Sequence, residues 1–128
     1  SIVPVVTSSQ TPSECADVAQ ALAEVLQALG EDVLLIASSD LSQYEEANAG
    51  AKKDGRLLAH ILRLDADALL RAVREEPATM CGAGAAACVL MAARRLGATR
   101  AQLLHYDTTV SVGGDPHAVI GYAGVAMS

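Results

Sequence analysis

At 128 residues the chain has the size of one domain, 1–128, with material for a single core. Its apolar fraction is 52% but aromatics are only 2%, with no Phe or Trp, so that core has to be aliphatic. A net charge of −6 without a basic run argues against nucleic acid and anionic membrane surfaces as partners, and no apolar run nears the roughly 18 residues of a membrane span.

The opening residues, Ser1-Ile2-Val3-Pro4-Val5-Val6, carry no positive n-region and do not read as a signal peptide. A start without Met is expected of a processed, trimmed or excised chain. Residues 2–6 predict an edge strand or a strand start, because Pro4 cannot donate to a ladder. A helix follows, with Thr11 as N-cap, Pro12 in its first position, Glu14 completing a capping pattern and Gly30 closing it. Its apolar positions Val18, Ala21, Leu22, Val25, Leu26 and Leu29 predict the inward face. Residues 33–37, Val-Leu-Leu-Ile-Ala, form an unbroken apolar run that predicts a strand buried on both faces. Strand, helix and strand make a βαβ unit.

After a polar turn at residues 38–44, Gly50 and Gly55 weaken any helix, and Asp54 is expected to cap a helix starting at Arg56. That helix turns Leu57, Leu58, Ile61, Leu62 and Leu64 inward. A second short helix starts at Asp65, with Ala68, Leu69, Ala72 and Val73 inward and Pro77 beyond its end. A third runs from about Gly82 to Leu96, stopped by Gly97, with Arg94 and Arg95 complementing its dipole. The tail predicts strands at 101–108 and 119–126, separated by Gly113-Gly114-Asp115-Pro116. The expected fold class is α/β: three αβα layers, a mixed sheet with a βαβ unit, and a C-terminal antiparallel pair.

Two stretches carry chemistry. Ser38-Ser39-Asp40-Leu41-Ser42-Gln43-Tyr44 sets hydroxyls, a carboxylate and an amide at the carboxyl end of an expected strand, where ligands collect in open α/β sheets. A turn in which Ser38 or Asp40 caps the next segment accounts for the same pattern. Thr79-Met80-Cys81-Gly82 places a thiol at a helix mouth, where the dipole favours a thiolate, either a nucleophile or a soft metal ligand. A small buried hydrophobe is the other reading of Cys81. Cys15 and Cys88 sit in helical apolar patterns and read as core. The three cysteines form an odd set without framework spacing, which fits a reducing, cytoplasmic compartment. His60, His105 and His117 show neither HxH nor HxxxH spacing, so the chain has no zinc motif. Gln43 can orient and hydrogen-bond but cannot exchange a proton at neutral pH.

In order along the chain, Ile2-Val3-Pro4-Val5-Val6, Ala37-Ser38-Ser39-Asp40-Leu41-Ser42 with Tyr44, Ala47 and Asp54, Met80-Cys81-Gly82, Leu96-Gly97-Ala98, Leu104-His105-Tyr106, Val112-Gly113-Gly114-Asp115 and Val119-Ile120-Gly121-Tyr122-Ala123 resemble the Memo family. This group is also called AmmeMemoRadiSam system protein B. The resemblance implies a fold like that of class III extradiol ring-cleavage dioxygenases, which use non-haem Fe(II). It further implies Cys81 as a metal ligand, Asp40 as a site residue, and Ser38, Ser39 and Tyr44 lining a cleft for a small aromatic or other small molecule. Family members usually carry His where this chain has Gln43, and that His resembles the acid/base of the dioxygenases, so the resemblance implies a degenerate acid/base position here. The family's other ligands, two histidines, lie in an N-terminal half, and this chain resembles the C-terminal half. An Fe(II) or Zn(II) site is therefore expected to be completed by that half, by a partner chain or by self-association. The alternative is a Memo-like binding module without catalysis.

Overall fold

The computed structural model describes residues 1–8, 11–30, 32–75 and 80–128. Its elements in chain order are α1 (Pro12–Leu29), α2 (Ala47–Leu62), α3 (Ala66–Glu75), α4 (Ala83–Arg95), β1 (Ala101–Thr108), a short 3-10 turn (Thr109–Val112) and β2 (Gly121–Met127). Pro77 and Thr79 lie outside the described residues. The α/β class and the C-terminal antiparallel pair are as expected. β1 and β2 pair from Ala101 opposite Met127 to Thr108 opposite Gly121, with a register irregularity between Leu103 and His105.

The helix punctuation acts as the sequence predicts at α1. The Thr11 side chain accepts from the Glu14 amide, Pro12 opens the helix, and Gly30 ends it at φ 62°, where a residue with a Cβ is strained. The buried face differs from the expected stripe. Cys15, Ala19 and Ala23 are buried, whereas Val25 and Leu29 are exposed. Small residues win because α1 lies against α4, whose facing residues are also small: Ala83, Gly84 and Ala87.

α2 begins nine residues before Arg56, at Ala47, and runs straight through Gly50 and Gly55. Tertiary packing overrides the weak intrinsic propensity of glycine. At Gly50 a Cβ would sit 3.1 Å from Ser42 Oγ, so the absence of a side chain lets the preceding loop close onto the helix. Asp54 is accordingly not a cap; it is a buried mid-helix carboxylate. Asp65 does cap α3, its Oδ1 accepting from the Ala68 amide at 2.9 Å. α4 packs against both α1 and α3, while α2 contacts α3 and the strand pair. Leu57, Leu69, Ala83, Ala87 and Leu90 fill the aliphatic core between them.

The two segments of the expected βαβ unit, residues 2–6 and 33–37, form no strand. Far from being buried on both faces, the second leaves Leu34 82% and Ile36 76% exposed. A strand exists only through its ladder, and among the described residues neither segment finds a backbone partner. Between residues 33–37 and β2 lies a cavity of about 640 Å³, floored by Leu58 and Ile61 of α2 and by Val89 and Leu90 of α4, with Val125 and Met127 on its β2 side. No helix is long and apolar enough to cross a membrane, among the described residues.

Candidate functional site

The polar loop after residue 37 is tied to the start of β2. The Leu41 amide donates to Gly121 O at 2.9 Å, and the Gly121 amide donates to Ser42 O at 3.0 Å. Glu45 and Val119 exchange a second pair, at 2.8 and 3.3 Å. Beneath this lacing stands Asp54. Its Oδ1 accepts from the Ser42 amide at 2.7 Å and its Oδ2 from the Tyr106 hydroxyl at 2.7 Å. One carboxylate thus joins α2, β1 and the loop. Burial, and then the hydrogen bond to Asp54, push the Tyr106 hydroxyl well above the ordinary tyrosine range. Gly121 makes room for the arrangement, since a Cβ there would fall 1.9 Å from Asp54 Oδ2.

Held in this way, the loop meets the mouth of α4. Ser39 Oγ accepts from the Gly82 amide at 2.9 Å and lies 2.7 Å from Asp40 O, to which its hydroxyl proton goes. Cys81 Sγ is 4.0 Å from the same Ser39 oxygen. With the serine proton committed to Asp40 O, a thiol at Cys81 is the donor in that long contact. Gly82 permits the approach: a Cβ would stand 2.5 Å from Ser38 O and 2.6 Å from Ser39 Cβ. The Gln43 amide donates to Asp40 Oδ2. The structure therefore brings Ser38, Ser39, Asp40, Gln43 and Cys81 into one corner. Cys81 is exposed and is not the buried hydrophobe of the other reading. Tyr44 adopts φ 56° and is exposed, at the rim.

The residues present do not by themselves fit a catalytic metal. Among the described residues no group of three or more His, Cys, Asp or Glu side chains could hold an ion. A catalytic site needs about three protein ligands, and this corner offers one thiol and one carboxylate already bonded to an amide. Two of the histidines make contacts of their own: His117 Nδ1 pairs with Glu46 at 3.0 Å, and His105 lies near Asp107. The hydrogen bond to Glu46 raises the His117 pKa.

The Asp54–Tyr106 link was missed in the sequence, although a signal existed. Asp54 shares the helical face of Leu57, Leu58 and Ile61, and a carboxylate in register with an apolar stripe is a buried carboxylate. Ser42 is buried as well, and its Oγ finds no partner among the described residues.

Comparison with known proteins bears on what this corner is. The family model described as Memo-like protein matches residues 1–126. A MEMO1 family protein of Methanosarcina barkeri is 35% identical over 126 residues, covering 98% of this chain and 48% of that protein. Another from Methanothermobacter thermautotrophicus is 38% identical over 122 residues, covering 95% and 44%. A third, from Ignicoccus hospitalis, is 36% identical over 124 residues, covering 97% and 44%. The chain spans about half the length of the curated relatives it matches. On a match over nearly its whole length, this chain belongs to the Memo-like family.

Proposed function

We propose that the corner of Ser38, Ser39, Asp40, Gln43 and Cys81 is one wall of a metal-dependent site related to the class III extradiol dioxygenases. The remaining Fe(II) or Zn(II) ligands come from Memo-like sequence outside this chain, or from a partner. One observation carries the reading: the Ser39 hydroxyl touches both the Gly82 amide and Cys81, joining two stretches 42 residues apart around a single exposed thiol. Cys81 is the metal ligand in this scheme, Asp40 a ligating or supporting carboxylate, and Ser38, Ser39 and Tyr44 line the space for a small aromatic or other small molecule. The apolar cavity between residues 33–37 and β2 receives strands of the completing segment, since an open edge over an apolar floor favours strand addition. The free thiols suit a reducing, cytoplasmic setting.

A second reading, a binding module without turnover, is favoured by Gln43. Its carboxamide, bonded to Asp40, stands where proton exchange with a substrate needs a group such as imidazole.

The test is elemental analysis of the chain alone and of the chain co-expressed with the N-terminal portion of the Methanosarcina barkeri relative. Metal is expected only in the complex, and lost on Cys81→Ser there without dissociation. Stoichiometric metal in the isolated chain, or none in a well-formed complex, sinks the shared-site reading. Ring-opening absorbance with added Fe(II) then separates enzyme from module. Little turnover is expected in the wild type and more in Gln43→His, because an acid/base group contributes about 10²–10⁴-fold.

A further inference from the structure

We propose that Cys15 and Cys88 form a buried dithiol that hydroperoxides oxidise to an intramolecular disulfide, stapling α1 to α4. All three thiols are free, but these two are 1% and 3% exposed and lie on different helices of one seam. The Cys15 thiol donates to the Gly84 carbonyl at 3.7 Å, and Gly84 stands one helical turn before Cys88. Helical side chains lean toward the N-terminus of their helix, so the Cys88 thiol covers the turn that Gly84 occupies. Both side chains are thereby directed at the same turn of α4, the one that begins at Gly84. A disulfide needs Cα atoms about 4.4–6.8 Å apart, which helices reach only along a seam of small residues. Ala19, Ala23, Ala83 and Ala87 provide that seam.

In the reaction one thiol gives up its proton and its sulfur attacks a peroxide oxygen. The O–O bond breaks, the departing hydroxide takes the proton as water, and a sulfenic acid remains. The second sulfur, deprotonated in turn, displaces hydroxide from the first; the S–S bond forms and a second water leaves. The sulfurs lose two electrons and hydrogen peroxide gains them. Burial, reinforced by Cys15, holds the Cys88 thiol up at about 11, so the step is slow at neutral pH and faster in base. Neither sulfur lines the corner described above, so the inference stands apart from the proposed function.

The experiment uses the Cys81→Ser chain, in which only this pair remains. Folded protein is exposed to hydrogen peroxide, quenched, unfolded and alkylated with N-ethylmaleimide. The expected product is a monomer two hydrogens lighter, with no maleimide adduct and a cross-linked peptide joining residues 15 and 88. Reduction restores two adducts. Closing so long a loop should raise Tm on the order of 10 °C. Adding Cys15→Ser should abolish the cross-link. Should Cys81→Ser fail to fold, wild type with its exposed Cys81 alkylated beforehand serves equally. Two adducts persisting after prolonged oxidation, separate sulfinic acids, or cross-links only between chains overturn the proposal.

Discussion

Asp54 is where the molecule concentrates its polar interior. Replacing it with Ala strands two buried donors, the Ser42 amide and the Tyr106 hydroxyl, each costing about 1–3 kcal/mol. Asp54→Ala should therefore lower stability by about 2–5 kcal/mol in urea titration, and Asp54→Asn should recover much of it. The amide can still accept from Ser42 and donate to Tyr106. An Ala variant within about 0.5 kcal/mol of wild type would show that the loop is held by its backbone bonds alone. Tyr106 and Cys88 also set the response to base. Both are kept protonated in the fold, chiefly by burial, with the thiol raised from 9.0 to about 11. The unfolded chain ionises first, so it binds fewer protons than the native state and stability declines as pH rises. The Cys88 contribution is complete below about pH 9 and is lost as pH climbs through about 11, whereas the Tyr106 contribution begins to decline only above its ordinary value of 10.0 and is lost at higher pH still. Thermal melts between pH 8 and 11 should show Tm falling, less steeply in Cys88→Ala and in Tyr106→Phe. A flat profile in wild type rules the linkage out.

Among elements, the junction between the 38–44 loop and α4 is the most constrained. Gly82→Ala drives a methyl to within 2.6 Å of two Ser39 and Ser38 atoms, one of them backbone. Overpacking of this kind costs about 1–3 kcal/mol. The cheaper escape is for the loop to lift, which breaks the bond from the Gly82 amide to Ser39. Faster reaction of Cys81 with a maleimide, together with a modest fall in Tm, is the expected signature. Unchanged thiol reactivity would mean that α4 yields instead of the loop. The segment 33–37 behaves oppositely. Its outward residues touch little, so Leu34→Lys should change Tm by no more than a few degrees, as surface substitutions do.

For the whole molecule, apolar chain is left uncovered in one region after another. Ile2, Val3, Val6, Leu34 and Ile36 are exposed, and the cavity beside β2 opens between residues 33–37 and the helices. Uncovered apolar surface next to an unpaired edge promotes association. Sedimentation velocity should show the isolated chain forming dimers or larger species as concentration rises, and Leu34→Lys should suppress them. A strictly monomeric chain at millimolar concentration would refute this account of the surface.

Local signals carried much of this structure. Thr11, Pro12, Gly30 and Asp65 mark helix ends because capping depends on a few neighbouring backbone groups. The C-terminal hairpin was legible because alternating strands joined by Gly-Gly-Asp-Pro leave few alternatives. The resemblance to the Memo family implies that the serine-aspartate loop and Cys81 share a cleft, whereas the strand at 33–37 expected to deliver that loop does not form. Three features were decided only in three dimensions. Whether residues 33–37 become a strand depends on a ladder partner, which an apolar run cannot supply for itself. Which face of α1 is buried depends on the small residues of α4, and not on where the largest apolar side chains of α1 lie. Asp54 changed from a surface cap to a buried anchor because Ser42 and Tyr106, 12 residues before it and 52 after it, bring their donors to its carboxylate.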